Sequence, residues 1–413
     1  MALLFSRAGE SGRTGRARGG GTARARVRTS NLPLSGNLPL SGVTLDYVLF
    51  MFYTARMPNH ARPGRGATLN TTPQRFNLKA RDEDGDWLDA RDAIDGAEPP
   101  PRTTVTVERP RTIITTNTSP DIGFDRSINP YRGCEHGCIY CFARPTHAYQ
   151  DLSPGLDFET RLFAKPDAPA LLRRELAARG YGARPIAFGT NTDPYQPIES
   201  QWRITRACLE VLAETRHPFT ITTKSDRVTR DLDLIAPMAA QGLAAVVLSV
   251  PTIDPAIART LEPRATTPAK RLAAIRALAA ARVPVFVSLA PIVPQINDHE
   301  MEHILEAAQA AGARGAFFLP VRLPHEVAPL FRAWLDAHHP DRAAKVMATI
   351  RSIRGGRDND PAFHTRMRGQ GPWAELLRTR FRIACRRLGL DGERLVLRTD
   401  LFRPPEGDQF RLL

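Results

Sequence analysis

Residues 129–144 read Asn129-Pro-Tyr-Arg-Gly-Cys134-Glu-His-Gly-Cys138-Ile-Tyr-Cys141-Phe-Ala-Arg144. Three cysteines fall close together at the spacing C-x3-C-x2-C, and Tyr140 stands just before the third. No fourth cysteine lies near them; Cys208 and Cys385 are far along the chain. Three thiolates can hold three corners of a cubane iron–sulfur cluster, whose usual complement is four. The remaining iron then keeps an open position, as catalytic metals do. A zinc site is the plainer alternative, with His136 or His147 recruited as fourth ligand. His136 lies between two of the cysteines in a Gly-flanked turn, which makes joint coordination awkward. A disulfide leaves an odd thiol.

The chain has 413 residues with 42% apolar composition, enough for one large domain with appendages or for two domains. Cysteine usage fits a reducing compartment and a cytoplasmic location. The formal net charge is +14, and it is uneven. Residues 1–66 carry ten Arg, no Lys and two acids; residues 321–413 carry eighteen basic and eleven acidic residues; the segment between is near neutral. Basic flanks suit a polyanionic partner such as nucleic acid, or they reflect an arginine-rich composition.

Residues 1–66 are expected to be disordered. They hold a Gly/Arg/Ala tract and a hexapeptide, Asn31-Leu-Pro-Leu-Ser-Gly, repeated from Asn37, and such composition cannot bury a core. Met57 is a candidate true start. The apolar patch Val48–Tyr53 is far below the ~20 residues needed to span a bilayer, so no membrane association is expected. Residues 67–119 form an N-terminal extension, in which Val105-Thr-Val and Thr112–Thr115 can pair or serve as an edge piece.

From Ile128 onward, apolar runs alternate with helical stretches. Strands are expected near Ser127–Asn129 and at Pro185–Gly189, Phe219–Thr223, Ala245–Val250, Val283–Leu289 and Ala316–Leu319. Helices are expected at Ala168–Arg179, Gln201–Thr215, Asp231–Gln241, Thr267–Ala281 and His299–Ala311, two of them closed by Gly242 and Gly312. This alternation predicts an α/β fold with a parallel sheet of six βα steps over residues 120–320. Residues 321–413 read as a basic, mostly helical region that either grips phosphates or caps the barrel.

The polar residues gather where strands end, where barrels place their chemistry. Gly189-Thr-Asn-Thr-Asp-Pro-Tyr-Gln follows the second strand, and Thr190, Thr192 and Asp193 offer groups for an ammonium or amino acid head group. Lys224 leaves the third strand as a point charge for a carboxylate. Ser249 ends the fourth. Arg264, in Leu261-Glu-Pro-Arg264, presents a fork suited to a carboxylate, with Glu262 beside it. Each has a bland reading as a turn former, a solvated lysine or a surface ion pair.

The cysteine spacing with Tyr140 is similar to that of the radical SAM superfamily, and Pro120–Arg322 resembles its spore-photoproduct-lyase-like branch. The resemblance implies a partial (β/α)6 TIM-type barrel and an enzyme. It implies a [4Fe-4S] cluster on Cys134, Cys138 and Cys141, with S-adenosylmethionine on the open iron. Reductive cleavage would give a 5′-deoxyadenosyl radical that abstracts hydrogen from a substrate, with flavodoxin or ferredoxin as electron donor. It implies that Thr190, Thr192 and Asp193 face the methionine amino group, and that Lys224 and Arg264 face its carboxylate. Ser249 would face ribose or carboxylate, and Tyr140 and the loop 290–298 the adenine. Pro251 and Gln295 depart from the branch's usual threonine and glycine.

Neither Cys208 nor Cys385 matches the branch's hydrogen-donating cysteine, so spore photoproduct repair itself is not expected. His147 and Tyr149 serve either as donors or as packing, and the catalytic residue stays unassigned. A nucleic acid base is the expected substrate, by analogy and charge. The rival from another class is a non-enzymatic, metal-stabilised nucleic-acid-binding protein.

Overall fold

Ten strands follow one another in the computed structural model, which describes residues 64–71, 73, 102–392 and 395–405. They are β1 Thr104–Val107, β2 Ile114–Thr116, β3 Arg126–Ile128, β4 Tyr131–Arg132, β5 Arg161–Ala164, β6 Ile186–Phe188, β7 Phe219–Thr223, β8 Ala244–Ser249, β9 Val285–Ile292 and β10 Gly315–Pro320. Helices α1 Asp157–Thr160, α2 Ala168–Leu176, α3 Glu199–Trp202, α4 Ile204–Glu214, α5 Leu232–Ala240, α6 Pro255–Leu261, α7 Pro268–Ala280 and α8 Met301–Ala310 lie between the later strands. Helices α9 Val327–His338, α10 Pro340–Ser352, α11 Thr365–Arg368 and α12 Gly371–Leu388 follow β10.

One sheet has the order β10-β9-β8-β7-β6-β3-β2. Its first six members are parallel, and β2 is added antiparallel to β3. This is the parallel sheet of six βα steps that the alternation predicted, and the partial (β/α)6 barrel that the resemblance implied. Every residue of β8 is buried, as expected of a strand covered on both faces. The main core joins Phe188, Ile221, Val246 and Val287 on the strands to Leu209, Ile275 and Leu305 on the helices. Gly242 and Gly312 close α5 and α8 at positive φ, as the sequence indicated.

Val105-Thr-Val and the Thr112–Thr115 run do not pair with each other. The first becomes β1 in a separate three-stranded sheet, β1-β5-β4, and the second becomes β2 at the edge of the barrel. Glu175 of α2 separates them by accepting the Ile113 and Ile114 amides, which fixes β2 against β3. Helix α6 and the small sheet were not expected. The 1–63 tract, including the Met57 start, lies outside the described residues, as do 72 and 74–101. Packing already includes Gly66 and Ala67, both buried.

The C-terminal helices close one side of the barrel. Val327, Phe331 and Trp334 of α9 and Ile350 of α10 pack with Cys138, Ile139, Tyr140 and Leu261. Beyond α10, the buried Arg354 guanidinium donates to the carbonyls of Pro320 and Val321, at 3.1 and 2.8 Å, and of Arg366 at 2.6 Å. Arg366 then grips Asp121, in the β2–β3 turn, through two hydrogen bonds of 2.7 and 2.6 Å. The segment 353–370 thus ties the β10 edge to the opposite edge of the sheet. No helix among the described residues is long and apolar enough to cross a membrane.

Candidate active site

The three neighbouring cysteines sit on a loop that leaves β4 and is held from several sides. The Cys134 amide donates to the Phe158 carbonyl at 3.0 Å, and the Ile139 amide to the Leu261 carbonyl at 3.2 Å. The Glu135 amide donates to Gln196 Oε1 at 2.9 Å, and the Arg264 amide to the His136 carbonyl at 3.2 Å. None of the three cysteines is in a disulfide. Cys134 and Cys141 share one apolar cluster with Ala143 and Phe158, and Cys138 and Cys141 share another. Burial pushes the Cys138 thiol up to about 12 and the Cys134 thiol well above its usual range. Such thiols ionise when a metal coordinates them. Three soft sulfur donors in one place fit an iron–sulfur cluster. Among the described residues, no group of three His, Cys, Asp or Glu side chains is arranged to hold a single metal ion.

The strand-end residues surround this loop. Thr190 exchanges hydrogen bonds with Asn129 at 3.0 and 3.2 Å. Thr192 Oγ1 donates to the Gly133 carbonyl at 2.6 Å, just ahead of the first cysteine. Asp193 lies at the centre, its side chain 9% exposed. Its Oδ1 accepts from Thr223 Oγ1 at 2.6 Å and from the Tyr195 amide at 2.9 Å; its Oδ2 accepts from the Lys224 amide at 2.8 Å and faces His136 Nδ1 at 3.4 Å. Burial alone would raise the Asp193 carboxyl. His136 and the bonds from Thr223 and Lys224 outweigh it and hold the group well below the usual carboxylate range. Thr192 and Asp193 therefore brace the cysteine loop with the same atoms the sequence suggested for a ligand, and His136 is turned to Asp193.

Lys224 places its Nζ 5.8 Å from the centre of the Tyr140 ring. Burial opposes its charge, but Cys138, Glu262, Asp193 and Cys141 together raise its pKa. The Tyr140 hydroxyl donates to Glu262, whose other oxygen pairs with Arg271 at 2.5 Å; all three are buried. Arg271 also donates to the Ser249 carbonyl at 2.9 Å, while Ser249 Oγ reaches the Ala290 carbonyl at 3.3 Å. Arg264 pairs with Glu135, between the first two cysteines, at 3.1 Å and remains 38% exposed. Contacts thus link the loops after β6, β7, β8 and α6 to one another and to the cysteine loop.

Two sequence candidates stand apart. His147 Nε2 lies 2.9 Å from the Arg161 carbonyl, its ring packs edge-on to Phe158 and Phe163, and burial lowers it to about 4. It is a neutral packing residue beneath the loop. Tyr149 is 64% exposed. Cys208 and Cys385 are buried in α4 and α12, away from the strand ends.

The model of the radical SAM superfamily matches residues 128–308, which begin at the last residue of β3 and enclose the cysteine loop and every strand-end residue above. The chain is 38% identical over 230 residues to an uncharacterised protein of Mycobacterium tuberculosis, covering 55% of this chain and 68% of that one. The chain belongs to the radical SAM superfamily. It is therefore an enzyme, and the superfamily implies a [4Fe-4S] cluster and S-adenosylmethionine as its cofactors.

An uncharacterised protein of Methanocaldococcus jannaschii is 27% identical over 215 residues, covering 52% of this chain and 76% of its own. Among solved structures, spore photoproduct lyase complexed with dinucleoside spore photoproduct is 17% identical at a TM-score of 0.48, covering 69% of this chain and 79% of that one. Four residues of this radical SAM site escaped sequence reading: Arg144, Glu159, Gln196 and Arg271. A guanidinium so close to the third cysteine was the available signal for Arg144; the other three are recognisable only once distant elements meet.

Proposed function

We propose that Cys134, Cys138 and Cys141 hold the [4Fe-4S] cluster and that S-adenosylmethionine lies between them and the ends of β6 to β9. When bound, the cluster would supply the electron for reductive cleavage of S-adenosylmethionine, and so for hydrogen abstraction from a substrate. The observation that carries this reading is the gathering of three reduced thiols, two of them buried and that of Cys141 partly exposed, beside Lys224 and Tyr140 at the mouth of a partial barrel. Lys224 and Arg264 offer cations for the methionine carboxylate. Thr190 and Ser249 offer oxygen atoms for the amino group and ribose. Thr192 and Asp193 act by holding the loop that carries the thiols. Tyr140, fixed by Glu262, presents a ring face for the adenine, and Val293 and Ile296 add apolar cover within the same cluster.

The substrate we propose is a nucleic acid base. The positive excess of residues 321–413 supports it, and so does a surface cleft lined by Arg382, Ile383, Arg386 and Arg387. A small acidic reductant such as flavodoxin or ferredoxin completes the scheme. Spore photoproduct repair itself does not follow, because Cys208 and Cys385 are core thiols.

Anaerobic reconstitution tests the reading. The chain is expected to take up about four irons and, with reductant, to release 5′-deoxyadenosine from S-adenosylmethionine. Cys138→Ala is expected to abolish that release. One zinc per chain and no 5′-deoxyadenosine would overturn it in favour of a metal-stabilised binding protein.

A further inference from the structure

The cysteine loop is gripped from outside by a buried ion pair that nothing in the proposed chemistry uses. Arg144 and Glu159 have fully buried side chains and pair at 2.5 Å. The Arg144 guanidinium donates to the carbonyls of Gly137 and Cys138, inside the cysteine triplet, at 3.0 and 2.9 Å. It also donates to the carbonyls of Pro154 and Gly155 at 3.0 and 2.9 Å. An arginine serves here because only a planar fork with five N–H donors can hold so many diverging acceptors. Glu159 belongs to α1, which also offers the Phe158 carbonyl to the Cys134 amide.

A third member comes from far upstream. The amides of Gly66 and Ala67 donate to the two Glu159 carboxylate oxygens at 3.0 and 2.8 Å, and Arg65 reaches the Glu159 carbonyl at 3.1 Å. The two backbones touch: a Cβ built on Gly66 would lie 1.7 Å from the Gly137 carbonyl oxygen. A Cβ on Gly137 would lie 2.8 Å from Glu159 Oε2. Only glycine at both places allows this approach. Neighbouring contacts extend the seam, with Asn70 and Asp157 bonded twice, at 3.3 and 3.2 Å.

We propose that Arg144 and Glu159 are positioning residues for the cluster, and that the Arg65–Ala67 segment completes the clamp that shapes the cysteine loop to receive it. The proposal rests on the assignment of Cys134, Cys138 and Cys141 as cluster ligands. Two peptide carbonyls of the loop are fixed by one guanidinium, the guanidinium by one carboxylate, and the carboxylate by two amides of a segment nearly seventy residues upstream of the first cysteine. The clamp touches no substrate and no reacting atom. Its function is to set where the backbone of the loop lies before any metal arrives.

The test uses the full chain and three substitutions: Gly66→Ala, Arg144→Lys, and the double variant Arg144→Met with Glu159→Gln. The double variant leaves no unpaired buried charge, which is the usual cause of collapse when one partner of such a pair is removed. Arg366→Met, remote from the cysteines, is the control for general destabilisation. Iron per chain after anaerobic reconstitution, the electron paramagnetic resonance lines of the reduced cluster and melting of the metal-free chain are measured together. The double variant and Gly66→Ala are expected to keep less than half the parent's iron and to shift the resonance lines, with Arg144→Lys between them and the parent. Their metal-free melting should fall no further than that of Arg366→Met, which keeps its full iron.

Full iron with the parent's spectrum in Gly66→Ala and in the double variant overturns the clamp. Iron loss that merely follows the fall in melting temperature, in the control as in the variants, also overturns it. If the double variant does not fold, Gly66→Ala decides. A parent chain that takes up no four-iron cluster instead defeats the cysteine assignment, a result visible before any variant is made.

Discussion

At the scale of single residues, His217 gives the clearest consequence outside the site. It is fully buried, with Nδ1 3.0 Å from the Pro218 carbonyl and Nε2 2.9 Å from the Tyr181 hydroxyl. A carbonyl only accepts, so Nδ1 carries the proton and Nε2 receives the tyrosine's. Burial lowers its pKa from 6.5 to about 4. The unfolded chain therefore binds one more proton than the folded chain between those values. Stability from this group is complete above about pH 6.5 and is lost as the pH falls toward 4, by on the order of 3 kcal/mol. Melting temperatures across that window should fall with pH, and more gently in His217→Gln; equal slopes in both chains would remove His217 as the cause. The three clustered cysteines were legible in sequence because ligands within an eight-residue span need no fold to be neighbours. Glu159 and Gln196 were not, since each acquires its role only by meeting amides or carbonyls that the fold brings near.

Among elements, the barrel strands from β6 onward and their ends were readable because each is a short run rich in apolar and β-branched residues, followed by polar or turn-forming ones. Helix α6 was missed, yet it carries its own start signal. Asp254 accepts from the Ala256 and Ile257 amides at 2.6 and 3.4 Å, and Pro255 begins the helix. Asp254→Ala is expected to cost about 1 kcal/mol, measured as a melting temperature a few degrees lower. Leu261 at its end supplies the carbonyl that holds Ile139, so the variant's cluster should also be lost faster to a chelator. An unchanged melting temperature would show that the cap is idle. The small sheet β1-β5-β4 escaped because β1 shows no buried face: its pattern is exposed nearly throughout.

For the whole molecule, charge separates the catalytic barrel from its flanks. On α12, Arg380 and Arg387 are paired with Glu302 and Glu306; Arg387 also lines the exposed cleft, together with Arg382, Ile383 and Arg386. If that cleft grips phosphates, Arg382→Glu with Arg386→Glu should weaken binding of single-stranded DNA. It should also flatten the salt dependence by roughly one to two units of slope. Identical isotherms for parent and variant would reassign α12 to a capping role alone. The cap itself was foreseeable from helical periodicity. The tie between sheet edges was not, because the segment 353–370 has no period and its meaning lies in a partner far away.

That partner, Asp121, stands 245 positions before Arg366. During synthesis at about 5 to 20 residues per second, Arg366 leaves the ribosome roughly 12 to 50 s after Asp121. Throughout that interval the nascent sheet has strand edges that its own chain has not yet joined. Closing so long a loop is also the entropically costliest contact to make early. The bidentate bond between these two residues is therefore a late event in biosynthesis, and a chain stalled before residue 366 must meet the cell with the β2 and β10 edges of its sheet untied.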